Sequence, residues 1–248
     1  MKKALVFAMV VVLSASGLLP AEAALTVNRS RVIVNEGDKS VSMSVTNRNT
    51  QEPYLAQTWI EDEAEIKLTS PLMVLPPVQR IEAGAKSAIR IQVLPDVSKL
   101  PKDRESVFWF NLREIPPRSD KQNVLTLALQ TRLKIFWRPA AIKTDAKTEN
   151  VPGMETVTLA KSGNRYTLNN PTPYHLTFVE GRSAVKEKGK EGFEPVMVAP
   201  KSQITLSSGV NELGNTPVLV FVNDYGSLRL LPFQCAGSAC KAQSVITP

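Results

Sequence analysis

Residues 124–138 read Val-Leu-Thr-Leu-Ala-Leu-Gln-Thr-Arg-Leu-Lys-Ile-Phe-Trp-Arg. Every odd position from Leu125 to Trp137 is apolar except Thr131, the period-2 pattern of a β-strand with one apolar face. The stretch is longer than the usual strand of about five or six residues. Its even positions include Arg132, Lys134 and Arg138. A long strand that joins a leucine ladder to fixed cations is a surface suited to holding another polypeptide.

On either side, the chain reads as short strands broken by turn signals, with almost no helical periodicity. Before the long strand (124–137), strands are expected over residues 25–34, 40–47, 54–61, 71–75, 88–94 and 106–114. Turn-forming clusters separate them: Asn35-Glu36-Gly37-Asp38, Asn47-Arg48-Asn49, Glu82-Ala83-Gly84 and Ile115-Pro116-Pro117. Seven strands in this span suit an immunoglobulin-like sandwich. A second set is expected over residues 157–159, 165–169, 174–180, 195–198, 202–206, 218–223 and 227–231. Pro139 to Gly153 is polar and reads as a linker. The fold class is therefore all-β, two tandem sandwiches spanning residues 24–140 and 141–248, with a cleft between them.

Residues 1–23 stand apart. Lys2 and Lys3 form a basic n-region, Ala4 to Leu19 is largely apolar, and Ala21-Glu22-Ala23 places small residues at −3 and −1. This is the pattern of a secretory signal peptide cleaved after Ala23. An uncleaved anchor is disfavoured, because the run is short and ends in a cleavage motif. No later segment approaches ~20 apolar residues, so the processed chain is expected to be soluble, without stable membrane insertion.

Removing Lys2, Lys3 and Glu22 leaves 28 basic and 22 acidic residues, net +6. Export and the scatter of the cations argue against nucleic acid. A basic protein outside the cytoplasm more plausibly meets acidic polypeptides or carboxylates. The two cysteines, Cys235 and Cys240, read as a disulfide closing a very short loop, with a local effect on stability.

Catalytic constellations are nearly absent. The single histidine, His175, lies in a strand-like context and would have to serve any Ser-His-Asp or Cys-His mechanism. No phosphate-binding glycine loop and no metal-ligand spacing occurs. Glu61-Asp62-Glu63 are consecutive and read as diverging, solvated acids. The expectation is a non-enzyme with no cofactor, no metal and no catalytic residue. The conspicuous residues are cations inside apolar strands: Arg31 in Ser30-Arg31-Val32-Ile33-Val34, and Lys134 between Leu133 and Ile135. Such charges either reach outward or pair with an acid, because an unpaired buried charge is costly, or they face the cleft and await a partner's carboxylate.

Several motifs together resemble the PapD-like chaperones of pilus assembly. Ser30-Arg31-Val32-Ile33 resembles that family's first strand, and Tyr54-Leu55-Ala56-Gln57-Thr58-Trp59-Ile60 a second motif. Pro76-Pro77-Val78-Gln79-Arg80-Ile81 resembles its Pro-Pro turn region. The most specific are Leu100-Pro101-Lys102-Asp103-Arg104-Glu105-Ser106-Val107-Phe108-Trp109 and Thr131 to Pro139 in the long strand. Asn170-Pro171-Thr172-Pro173-Tyr174 and Asn223-Asp224-Tyr225-Gly226 follow in the family's order.

The resemblance implies a boomerang of two immunoglobulin-like domains in the periplasm that caps pilin subunits and passes them to an outer-membrane usher, without ATP. Its seventh strand would be lent to a subunit lacking one, a form of β-augmentation. Carried over by position, Arg31 and Lys134 would grip the subunit's C-terminal carboxylate, and Leu125, Leu127 and Leu129 would fill its groove. Glu105, Arg138 and Asp224 would form an ion network between the domains. Lys134 has the opposite parity to the three leucines, so either a bulge intervenes or the lysine reaches the cleft from the strand's other face. Val34-Asn35 stands where the family commonly has Tyr-Pro, and the short connection from Pro117 to Asn123 resembles the subfamily that assembles rod-like pili. The competing readings are a secreted immunoglobulin-like subunit or adhesin, which needs an N-terminal donor extension, and a carbohydrate-binding sandwich, which needs exposed aromatics near acids or amides.

Overall fold

Inward and outward residues alternate along strands such as Ser40–Asn47 and Tyr54–Glu61, and such faces build two large cores, with a small further cluster of Val218, Val220 and Leu230. The computed structural model describes residues 23–118, 125–145 and 148–248. The expected leader and the short connection before the long strand fall mostly outside these residues.

The first sandwich contains β1 (Leu25–Val27), β2 (Arg31–Asn35), β3 (Ser40–Asn47), β4 (Tyr54–Glu61), β5 (Lys67–Leu68), β6 (Leu72–Leu75), β7 (Val78–Ile81), β8 (Lys86–Val93), β9 (Ser106–Ile115) and β10 (Gln130–Arg138). One layer runs β1-β3-β8-β6; the other runs β2-β10-β9-β4-β5, with β7 also paired to β4. Ala56 and Ile60 of β4, Phe110 and Leu112 of β9 and Ile135 and Trp137 of β10 meet Val32, Val34, Ile89 and Ile91 in the core between the layers.

The second contains β11 (Thr158–Ser162), β12 (Arg165–Asn170), β13 (Leu176–Arg182), β14 (Val196–Val198), β15 (Ser202–Thr205), the short helix α1 (Val210–Leu213), β16 (Val218–Val222), β17 (Leu228–Ala236) and β18 (Ala239–Ala242). These strands form one path, β14-β13-β16-β17-β18-β11-β12-β15. β17 carries the path from one layer to the other: Leu228 to Pro232 pair with β16, and Phe233 to Ala236 pair with β18. Tyr166, Phe178, Phe221 and Phe233 fill the interior.

The expected strands differ from these in instructive ways. Residues 25–34 form two strands in opposite layers, β1 against β3 and β2 against β10. Residues 78–81, expected as a turn region, form β7. In the second half, β17 runs on to Ala236 and turns into β18, where Cys235 and Cys240 are cross-strand partners joined by a disulfide. The long strand is shorter than the pattern suggests: β10 begins at Gln130. Leu125, Leu127 and Leu129 precede it, exposed by 83%, 64% and 42%, and Val124 lies outside the described residues.

The two sandwiches meet through short polar contacts. The Glu105 amide donates to the Pro173 carbonyl at 2.9 Å, and Lys201 pairs with Asp103 at 2.6 Å. Gly226 makes the tightest approach: φ is +84°, and a Cβ there would lie 2.1 Å from Ser30 Oγ. Both the left-handed backbone and the missing side chain are needed at that position.

Candidate functional site

β2 and β10 run parallel, and their register makes Arg31 and Lys134 direct neighbours. Val32 and Val34 of β2, like Leu133, Ile135 and Trp137 of β10, point into the first core. The alternate residues Arg31, Lys134, Phe136 and Arg138 therefore share the opposite face, and their contacts reach the second sandwich.

On that face Arg31 is 9% exposed. Its Nη1 donates to the Val222 carbonyl at 2.9 Å, its guanidinium lies 5.9 Å from the Phe136 ring centroid, and Nε is buried without a partner. Lys134 Nζ donates to Thr177 Oγ1 at 3.2 Å and lies 5.6 Å from the Trp109 ring centroid. Among the described residues neither cation has a carboxylate within salt-bridge distance. Burial, followed by the charge of Arg31, lowers the Lys134 ammonium from 10.5 to about 8. Burial likewise pulls Arg31 below its ordinary value, against the opposing pull of Asp224 and Glu105. Two like charges side by side in a half-dry cleft favour an anion between them, since a carboxylate would offset both desolvation penalties at once.

The third cation on the face is differently furnished. Arg138 is 1% exposed. Its Nε and Nη2 donate to Glu105 Oε1 at 2.9 and 2.8 Å. Nη1 and Nη2 donate to Asp224 Oδ2 and Oδ1 at 2.7 and 3.1 Å, and Nη1 also reaches Thr144 Oγ1 at 2.8 Å. Burial alone would lower the guanidinium, but Asp224 and Glu105 hold it above its ordinary value. Glu105 belongs to the first sandwich and Asp224 to the second. The cluster also draws in residues that strand patterning did not single out. Glu105 Oε2 accepts the backbone N–H of His175 at 2.7 Å, and Tyr174 stacks 5.1 Å from the guanidinium. The Tyr174 hydroxyl donates to the Ile142 carbonyl at 2.8 Å, so part of the segment expected as a linker is tied down.

The parity difficulty resolves without a bulge. β10 and β9 pair in one unbroken register from Gln130↔Arg113 to Trp137↔Ser106, and the Glu114 amide donates to the Leu129 carbonyl at 3.0 Å in the same register. Lys134 reaches the cleft from the face opposite the leucines. Odd positions from Leu133 onward fill the first sandwich's own core; Leu125, Leu127 and Leu129 continue that face beyond the core's edge and stay exposed.

Two residues lie in other surroundings than their sequence context suggests. Glu61, expected as a solvated acid, is 9% exposed and accepts the Trp59 indole N–H. His175 is packed in the cleft, its ring 5.4 Å from that of Phe136. Among the described residues no group of histidine, cysteine, aspartate or glutamate is arranged to hold a metal ion, and no helix is long and apolar enough to cross a membrane.

Residues 24–143 match the N-terminal domain model of PapD pili and flagellar-assembly chaperones. Residues 152–231 match the model of the PapD pili assembly chaperone C-terminal domain. The chain is 47% identical over 225 residues to the chaperone protein PapD of Escherichia coli, covering 90% of this chain and 91% of PapD. It is 46% identical over 224 residues to the probable fimbrial chaperone YfcS of Escherichia coli K12, covering 90% and 87%. The crystal structure of the periplasmic chaperone SfaE superposes with a TM-score of 0.65 at 30% identity, covering 82% of this chain and 95% of SfaE. That family is one of chaperones, a non-enzymatic class. Two family domains matched in sequence, on the two-sandwich fold described above, leave one conclusion: this chain belongs to the PapD family of pilus assembly chaperones.

Proposed function

We propose that the chain works in the periplasm, capping pilin subunits at the cleft and delivering them to an outer-membrane usher, with residues 24–140 and 141–248 as its two domains. The observation that carries this reading is the pair of a buried Arg31 and a half-buried Lys134, adjacent and with no carboxylate partner among the described residues, one strand-length from three exposed leucines. A subunit's C-terminal carboxylate placed between the two cations gains charge-assisted hydrogen bonds of roughly 1.5–3 kcal/mol each. The anchored end sets the register in which Leu125, Leu127 and Leu129 enter a subunit groove. A one-residue slip would turn all three outward. The energy for release comes from the subunit's own folding, so no nucleotide is required.

The test is periplasmic co-expression with pilins of the same genome, comparing the wild type with Arg31→Ala and Lys134→Ala. Loss of one anchor of about 2 kcal/mol lowers affinity roughly thirtyfold, so recovered subunit should fall steeply in both variants. Equal recovery with all three proteins would remove the carboxylate anchor from the reading.

The anchor is also pH-dependent in a defined direction. In the free protein Lys134 loses its proton near pH 8, whereas the unfolded chain holds it to about 10.4. In that window the unfolded state binds the extra proton, so raising the pH adds to the stability of the free fold at this residue. Capture of a carboxylate needs the charged form and should weaken by up to about tenfold per pH unit above 8. Lys134→Arg, charged throughout, should flatten that profile, as measured by titrating a pilin C-terminal peptide with a free carboxylate. Parallel profiles for the two proteins would show that Lys134 does not meet the carboxylate.

A further inference from the structure

The face that carries the anchor pair on β2 and β10 extends across two more strands, and its composition is unusual for the outside of a sandwich. Across β4, β9, β10 and β2 the register aligns Glu61, Trp109, Lys134 and Arg31 in one row. The next row holds Trp59, Asn111 and Arg132, and the one after it Gln57, Arg113 and Gln130. Each tryptophan carries two cations. Lys67 Nζ lies 4.5 Å and the Arg113 guanidinium 5.3 Å from the Trp59 ring centroid. Arg132 lies 4.2 Å and Lys134 5.6 Å from that of Trp109. The Arg113 guanidinium is further steadied by Gln130, at 3.2 Å.

Carboxylates do not balance these charges. Arg132 pairs with Glu65 at 3.0 Å and with Glu61 at 3.7 Å. Among the described residues Lys67, Arg113, Lys134 and Arg31 have no carboxylate within salt-bridge distance. A ladder meant only to staple the sheet would neutralise itself; this one retains a surplus of cations held by aromatic rings. Cations held this way lose little side-chain freedom when they meet an anion, so the face is preorganised. With strands about 4.8 Å apart and rows about 6.7 Å apart, the patch is roughly 14 Å on each side. It begins at the anchor pair and shares the face of Lys134, so a partner anchored by its carboxylate there comes within reach of it, while the leucines, of opposite parity, project from the other face.

We propose that this tryptophan–cation face is a second contact surface for the captured pilin subunit, and that it recognises acidic side chains on the part of the subunit folded beside its C-terminal end. The inference rests on the chaperone reading above. Its function is to steer and orient the incoming subunit, while Arg31, Lys134 and the leucines hold it. Long-range attraction between complementary patches acts chiefly on association and is screened by salt.

The experiment uses the mature chaperone and a pilin lacking its N-terminal donor extension, diluted from denaturant. Capture is followed through the fluorescence of Trp59 and Trp109. The variant is Lys67→Gln with Arg113→Gln, two exposed positions outside both the anchor pair and the leucine ladder. At about 20 mM salt it should capture the subunit roughly five- to tenfold more slowly than the wild type, and the difference should vanish near 0.5 M, where the screening length has fallen from about 20 Å to about 4 Å. A subunit whose acidic residues beside the C-terminal end are changed to amides should slow the wild type by a similar factor and the double variant hardly at all. Equal low-salt rates and equal salt slopes for wild type and double variant would overturn the proposal while leaving capture itself intact. Failure of the wild type to capture any subunit would overturn the chaperone reading and this inference with it.

Discussion

Arg138→Ala should lower the stability of the folded protein by about 3–5 kcal/mol, the usual result of leaving a buried ion pair half-occupied. The side chain is 1% exposed and makes five hydrogen bonds, two to the buried Glu105, two to the partly buried Asp224 and one to Thr144. Removing it leaves Glu105, 4% exposed, among the described residues with the His175 amide at 2.7 Å and the His175 ring nitrogen Nδ1 at 3.4 Å and no cation to replace the guanidinium. In a protein of this size each kcal/mol moves the melting temperature by about 2–4 °C, so the fall should be roughly 6–20 °C. Glu105 and Asp224 come from different sandwiches, so the same change should also weaken the coupling between them and split the calorimetric transition. Arg138→Lys should recover little, because a single ammonium cannot replace a planar fork that serves two carboxylates. A loss under about 1 kcal/mol, with one unsplit transition, would show that the network is a solvated ornament and that other contacts fix the angle between the sandwiches.

Period-2 patterning carried the fold class, because a residue that faces a core is apolar whichever layer it belongs to. It could not separate β1 from β2, since Leu25, Val32 and Val34 are buried in one core although their strands lie in opposite layers. Nor could it end β10. The leucines before Gln130 have the same alternation as Leu133, Ile135 and Trp137, and only the extent of the neighbouring strands decides which of them find a core. The cations of the cleft were visible as charges out of place in apolar strands, but their pairing was not. Arg31 and Lys134 lie about a hundred residues apart in sequence and become neighbours only through the parallel pairing of β2 with β10. Glu61 departs from its sequence context for a related reason: consecutive acids suggest solvation, yet one of them lies in register with Trp109 and beneath Arg132. The signal that was available lay in the odd positions of β4, where Trp59 and Glu61 point to the same side, away from the core.

Leu127→Glu should abolish subunit capture while leaving the free chaperone as stable as the wild type. In the free protein Leu127 is 64% exposed and outside the sheet, so replacing it should change stability by less than about 0.5 kcal/mol. In the complex a leucine seated in a subunit groove contributes about 1.5–3 kcal/mol, and a carboxylate in its place must also be desolvated without a partner. Together these exceed about 3 kcal/mol, a loss of more than a hundredfold in affinity. Thr126→Glu is the control, because residue 126 has the opposite parity and points away from any groove the leucines enter. It should retain most of the capture. If both substitutions abolish capture, the segment binds without a fixed face and the anchored register is wrong. If neither does, the leucine ladder is not the lent strand, and the exposed apolar surface at 125–129 must serve another purpose.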